Sequence, residues 1–378
     1  MAITLNSNEI FAALSNMIIS QQVFTDNIQN NQTLVDKAKV DGTLYGDTKL
    51  YYSTDVLASS PWGNDAEAAN LLAIHRPQAP KVQAIALDVF RQIALTVDNY
   101  LSKRAWSTEG AFSAFNSTMK GWMNDTKKVY DGTLYNVYIG TTETTIGEQT
   151  PTALTLTAGK EAQEIAEYLA NLFVRMGDYS RDFTDFGQLR SYKNGNIKVI
   201  WNASYVNKIK KIDLPTIFHK DGLVDKFEEE ILPTRYFGRD VDSSDDVGSG
   251  KIIDASGIYD PTKGTIRSRI EIDLNSVAMD HISYDPKKHL FPGDEIPSGS
   301  KLAASAGLGI DFIYDEVYIE KPKVICKVLV KLPPYMSAFE AATSFFNAKS
   351  LTENNYLTFG HNTLQYLKNY PFITICEA

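Results

Sequence analysis

Between residues 81 and 97 apolar and polar side chains alternate. Ile85, Leu87, Val89, Ile93, Leu95 and Val97 hold one face, interrupted only by Arg91. Ala84, Ala86, Asp88, Gln92 and Thr96 hold the other. The pattern predicts a strand of about thirteen residues or more, well past the usual five or six. Upstream, GDTKLYYSTDVLA reads as a partner arm. Ser60-Pro61-Trp62-Gly63-Asn64-Asp65 is a Pro/Gly turn cluster between them. Residues 45–99 are therefore expected to form a long β-hairpin. So long an arm has little of its own domain to pack on, and its apolar face is expected to meet another copy of the chain.

Helical spacing is clearest over 107–130. Phe112, Phe115, Met119, Trp122, Met123, Thr126, Val129 and Tyr130 fall on one face, and Ser107 or Thr108 supplies a cap. At 1.5 Å per residue this helix is about 36 Å long. Short strands are expected over 131–156. A second helix then runs from about Gly159 to Met176, with a stripe of Ala162, Ile165, Leu169, Leu172, Phe173 and Met176. The strand Ile197-Lys198-Val199-Ile200-Trp201 and a short helix follow. Further strands are read at 266–274, where Ile266, Ile270, Ile272 and Leu274 point inward, and at 323–332, where Lys alternates with apolar residues. MSAFEAATSFFNAKS reads as helical, and NYPFITICEA as a closing strand. At the start, Ile10, Phe11, Leu14, Ile18 and Ile19 give about three turns of helical spacing. That helix either serves as an arm or packs on its own domain. With no internal repeat and no βαβ series, the class is α+β.

Composition narrows the function classes. The 378 residues are 43% hydrophobic and 22% charged, which supports a folded chain with a sizeable core. The net charge of −9 lacks the clustered Lys and Arg that grip a nucleic-acid backbone. A mildly acidic wall would, however, suit a container packed with nucleic acid. Twenty Tyr and eighteen Phe are many for this length and fit a large core or extensive interfaces. Cys326 and Cys376 sit in apolar runs and are expected as buried thiols rather than a disulfide. The start, MAITLNSNEIFAALSNMIIS, lacks a basic leader region, and no apolar run approaches the length of a membrane span.

Candidate chemistry is sparse. His75, His219, His281, His289 and His361 lie far apart, without metal-ligand spacing. The acidic run Asp240, Asp242, Asp245, Asp246 resembles a calcium loop only superficially. Asp245 stands where such a loop needs Gly, and Lys251 where it needs Glu. AASAGLGIDF lacks the Lys-Ser/Thr of a phosphate loop, and Lys208, Lys210 and Lys211, too few for a nucleic-acid footprint, read as a solvated face or an inter-subunit contact. No catalytic, cofactor-binding or metal residue is predicted. The rival class is an enzyme with an unfamiliar site, such as a carbohydrate-active protein using its Tyr and Trp.

The order of elements carries a resemblance. An arm, a long hairpin, a long helix, a mixed region and a final strand return resemble the Hong Kong 97-type fold of tailed-phage major capsid proteins. PKVQAIALDVFRQIALTVDNYLSKRAWSTEGAFSAFNSTM is similar to the loop-to-spine junction of capsid proteins from short-tailed phages. VIWNASYVNKIKKIDLPTIFHKDGL with ILPTRYFG resembles their axial-domain stretch, where a strand with a small polar residue leads into a helix. SLTENNYLTFGHNTLQYLKNYPF is similar to their closing strands. The resemblance implies an N-terminal arm over 1–44 and an extended loop over 45–99. It places a peripheral domain with its spine helix over 100–156, a mainly axial domain over 157–332, and a return to the peripheral domain over 333–378.

It further implies a non-enzymatic shell subunit without cofactors. Such a subunit assembles as pentamers and hexamers into an icosahedral head, in the host bacterial cytoplasm, around DNA that it does not read by sequence. With the loop starting near residue 45 there is no room for a fused scaffold segment, so a separate scaffolding protein and a portal are implied partners. An encapsulin-like nanocompartment or another virion component is the alternative. Inter-subunit contacts are expected at Tyr51, Tyr52, Trp62, Ile85, Leu87, Val89, Arg91 and Phe11. Arg91 should meet a carboxylate, because an unpaired buried guanidinium is costly.

Overall fold

The computed structural model describes residues 33–42, 48–59, 74, 76–98, 109–209, 227–240, 246–247, 251–252, 259–260, 265–266, 271–272, 300–303, 317–320 and 323–378. Phe11 and Trp62, the acidic stretch 241–245 and the histidines other than His361 lie outside them. The chain divides into two compact units. One comprises Met1–Asp47, Ala86–Tyr135 and Tyr335–Asn362, the other Thr48–Ile85, Asn136–Pro334 and Thr363–Ala378.

In chain order the early elements are α1 (Thr33–Ala38), β1 (Lys39–Asp41), β2 (Thr48–Ser53), β3 (Lys81–Asp98) and α2 (Glu109–Thr141). Then come β4 (Thr152–Leu154), α3 (Glu161–Gly177), β5 (Lys198–Asn202), α4 (Ala203–Ile209) and β6 (Glu228–Leu232). Short strands follow: β7 (Gly238–Asp240), β8 (Asp246–Val247), β9 (Lys251–Ile252), β10 (Tyr259–Asp260), β11 (Thr265–Ile266), β12 (Glu271–Ile272), β13 (Ser300–Ala303) and β14 (Val317–Glu320). The chain closes with β15 (Val324–Leu329), β16 (Tyr335–Asn347), β17 (Thr352–Asn362) and β18 (Phe372–Glu377).

The first unit is built on a sheet in which β1 pairs in parallel with β16, β16 antiparallel with β17, and β17 antiparallel with β3. Thr352 opposes Asp98 and His361 opposes Val89, so β3 is an inner strand with β2 as its other neighbour. The predicted alternation holds along it. Ile85, Leu87 and Val97 are buried, while Ala84, Asp88, Gln92 and Thr96 are exposed. Met123 from α2 packs with Leu357 and Phe359 from β17, and Ile93, Leu95 and Tyr130 close the cluster. Each such buried side chain contributes about 1.5–3 kcal/mol.

The second unit holds a five-stranded sheet in the order β4-β18-β15-β5-β6. The expected stripe of α3 is buried in full. Ile165, Leu169, Leu172, Phe173 and Met176 join Val199, Trp201, Ile325, Val328, Ile373 and Ile375 in one core. β5 ends on Asn202, which is fully buried. Its side-chain oxygen accepts the Ser204 backbone N–H at 3.1 Å and the Thr234 hydroxyl at 2.7 Å, while its amide donates to the Val324 carbonyl at 2.8 Å. One side chain thus caps α4 and ties it to two other segments. This is the strand-to-helix junction with a small polar residue anticipated from the sequence. Cys326 and Cys376 are both buried thiols, and burial pushes the Cys326 thiol well above its usual range.

Two expectations need correction. The long helix does not stop at 130 but continues to Thr141. Leu134, Tyr135, Val137, Tyr138 and Ile139 are all buried, so the last turns have no polar face and show no amphipathic period. MSAFEAATSFFNAKS is not helical: its first part lies within β16 and ladders with β17 from Ser337↔His361 to Asn347↔Thr352. Its Ala content favours helix locally, but pairing with β17 overrides that preference. β15 also carries a lysine, Lys327, between apolar neighbours. This lysine is fully buried and donates to the Thr142 carbonyl at 2.8 Å and the Thr374 hydroxyl at 2.9 Å. Both faces of a central strand are covered, so its polar side chains find partners inside.

Candidate functional site

Among the described residues no cleft gathers convergent catalytic groups, and the surface feature that stands out is a set of exposed apolar side chains. The described residues of the loop between β2 and β3 are such a surface. Val56 is exposed, Leu57 is 77% exposed and Ile74 is 78% exposed. Tyr52, at the end of β2, is 65% exposed. A second exposed set lies at the far end of the β16–β17 hairpin in the first unit. Phe345 and Phe346, adjacent on a strand and so on opposite faces, are both exposed, as is Leu351 in the turn. Large apolar side chains grouped in the open mark contact surfaces more often than scattered ones do.

Two polar junctions within the second unit hold the ends of the β2–β3 loop. On the outgoing side, Ser53 and Gln188 are both buried. The Ser53 hydroxyl bonds the Gln188 side-chain oxygen, and the Gln188 amide returns to the Ser53 carbonyl at 3.0 Å. Arg190 donates to the Ser53 hydroxyl and the Thr54 carbonyl, each at 2.8 Å. Asp55 pairs with Arg181 and accepts the Leu189 backbone N–H at 3.0 Å. The Arg181 hydrogen bond, followed by that from Leu189, holds the Asp55 carboxyl down at about 2. On the returning side, buried Gln83 donates to the Tyr366 carbonyl and accepts the Lys368 backbone N–H, each at 2.9 Å. Beyond these junctions, residues 56–59 and 76–80 are exposed.

A third polar cluster is internal to the first unit. Tyr130 donates its hydroxyl to His361 Nε2 at 2.8 Å, and His361 Nδ1 donates to the Asn362 carbonyl, also at 2.8 Å. The Tyr335 ring stacks on His361 with centroids 5.5 Å apart, and its hydroxyl donates to Asp131 at 2.6 Å. Lys127 completes the cluster with a 3.2 Å ion pair to Asp131. Burial pushes the His361 pKa below its ordinary value, so the ring is neutral at neutral pH. These groups pin α2 to β16 and β17 and offer no open position for a substrate.

The contact residues expected from sequence divide. Tyr51 is half-buried and Tyr52 exposed, while Val89 and Arg91 are half-buried. Ile85 is 1% exposed and Leu87 is 4% exposed within their own chain. The idea that those two side chains meet another copy is therefore corrected: both are covered within their own chain, whereas Val89, Ile93 and Leu95 on the same face are only half-buried. Arg91 has its guanidinium 5.2 Å from the centre of the Tyr130 ring, a cation–π arrangement. Sequence reasoning missed Val56, Leu57 and Ile74. Their signal was the apolar pair Val56-Leu57 before the turn cluster and the apolar run Leu71-Leu72-Ala73-Ile74 after it. It also missed Gln83, Gln188 and Arg190, because polar side chains show their partners only after folding.

No family model and no curated protein matches the chain. Among solved structures it is similar to the capsid structure of Staphylococcus phage Andhra. That match has 10% identity and a TM-score of 0.57, and covers 94% of this chain and 87% of that one. It is also similar to a chain in the structure of the head fiber and inner core protein of bacteriophage P68. There the identity is 12% and the TM-score 0.55, with the same two coverages. At such identities the likeness is one of fold. The chain has the mixed helix-and-sheet fold shared by phage capsid structures, the Hong Kong 97-like fold.

Proposed function

We propose that this protein is the shell subunit of a tailed-phage head, a structural protein rather than an enzyme. The observation that carries the reading is the end-to-end likeness of fold to the Andhra capsid structure, which leaves little of the chain for a separate catalytic domain. Two further features support it. Exposed apolar side chains cluster on the described arms of the β2–β3 loop and at the β16–β17 hairpin end. The buried polar clusters around Gln188, Gln83 and His361, by contrast, are satisfied within the chain. A subunit surrounded by copies of itself would cover those apolar groups, and burying them supplies the association free energy, reduced by the entropy of docking. In this reading the copies form pentamers and hexamers of a closed icosahedral shell in the virion. A scaffolding protein and a portal assist assembly, and the shell encloses DNA without reading its sequence. The net charge of −9 suits a wall that must not adhere to its contents.

Light scattering and negative-stain electron microscopy of the expressed chain test this. Closed particles, sheets or tubes of megadalton mass are the expected outcome. A chain that remains monomeric or dimeric across protein concentration, salt and crowding agents overturns it. DNA-filled particles from infected cells would separate the head reading from a cargo-loaded nanocompartment.

A further inference from the structure

We propose that Gln83 and Arg190, with Gln188 and Asp55, are positioning residues that set the direction in which the β2–β3 loop leaves the subunit. Their role is in the geometry of assembly rather than in the fold. The inference rests on the shell reading above and adds to it the residues that aim the contact.

The geometry has two feet. At the outgoing foot three consecutive residues are held. Ser53 is held by Gln188 and Arg190, Thr54 by Arg190, and Asp55 by Arg181 and the Leu189 N–H. At the returning foot one amide side chain, Gln83, satisfies both a backbone C=O and a backbone N–H, of Tyr366 and Lys368. It thereby mimics a strand partner and fixes both position and orientation. Immediately past each foot the pattern changes. Val56, Leu57 and residues 76–80 are exposed. The described apolar residues past the feet, Val56, Leu57 and Ile74, are exposed, while the two ends of the loop are each held by several directional hydrogen bonds. Each foot holds more than one atom with directional hydrogen bonds, so it fixes orientation as well as position, whereas a single bond would leave a pivot. The feet lie close together: Ser53 and Gln83 both line a small cavity of about 80 Å³, with Tyr51, Tyr52 and Asn369. Arg190 brings one terminal nitrogen, Nη2, against the Ser53 hydroxyl, the Thr54 carbonyl and the Gln188 side-chain oxygen, while Nη1 donates to the Leu189 carbonyl.

The test uses the full chain with Gln83→Ala and Arg190→Ala, separately and together, and Asp55→Asn as the milder change. Melting temperature and particle shape are read side by side. The double variant should still unfold cooperatively, several °C below the parent, because it loses hydrogen bonds at the loop ends but no apolar core. Its yield of closed particles of parental diameter should fall at least several-fold, replaced by open sheets or mixed sizes. Asp55→Asn, which keeps the acceptor for Leu189, should fall between. Parental particles formed by the double variant overturn the proposal and leave the shell reading standing. A collapse of melting temperature in every variant also overturns it, because the feet would then belong to the core. Failure of the parent chain itself to assemble refutes the shell reading and the positioning role with it.

Discussion

His361 shows how one buried side chain links stability to pH. Its ring is fully covered, its pKa is lowered chiefly by burial, and Arg91 lowers it further while the Asn362 carbonyl, Asp131 and Asp88 oppose. The unfolded value is about 6.5. A folded value below it means that protonation favours the unfolded chain. The stabilising contribution is therefore present above the unfolded pKa and is lost as pH falls through the folded one. Urea melts at pH 7.5 and 5.5 should show the parent weakened at the lower pH, and His361→Gln should flatten that dependence. An unchanged pH slope in the variant would assign the effect elsewhere. Gly140 shows a steric constraint instead. A Cβ at this position would lie 2.0 Å from the Tyr236 carbonyl oxygen, so only glycine allows this approach of α2 to backbone. Gly140→Ala should cost about 1–3 kcal/mol, read as a lower denaturation midpoint. A neutral result would mean that the 234–237 segment yields freely.

Elements explain which expectations survived. The stripe of α3 and the alternation of β3 were legible, because each element buries one face and leaves the other in water. The end of α2 and the strand β16 were not. The last turns of α2 are buried all round, which erases the period. β16 takes its conformation from its ladder with β17 rather than from its own residues. The same distinction decides where the chain can be cut. Removing residues 50–90 takes out buried Ile85, Leu87 and Gln83 and should abolish folding. Replacing only 57–78 by a short Gly/Ser link spares every one of those residues. That variant should keep the parental melting temperature, measured by circular dichroism, and lose particle formation under the microscope. Parental particles from it would remove the loop from the interface.

At the scale of the whole molecule the charge makes one simple demand. With a net charge of −9 and no clustered basic patch in the sequence, the subunit should not retard duplex DNA in a gel at physiological salt. A salt-dependent shift at micromolar protein would contradict a wall that merely encloses. The sequence by itself determined the α+β class, the long strand of β3, the one-sided helix α3, the two buried thiols, and an order of elements that resembles a phage capsid. These follow from side-chain periodicity and local chemistry, which act over a few residues. Only the tertiary structure decided that Ile85 and Leu87 are covered at home, that Lys327 is buried, and that Gln83 and Arg190 hold the ends of the exposed loop. Each of those facts depends on partners that fold in from distant sequence, such as Thr142 with Lys327 and Tyr366 with Gln83. A hydrogen bond or a buried face is settled by what lies opposite, and the local pattern of one strand carries no record of it.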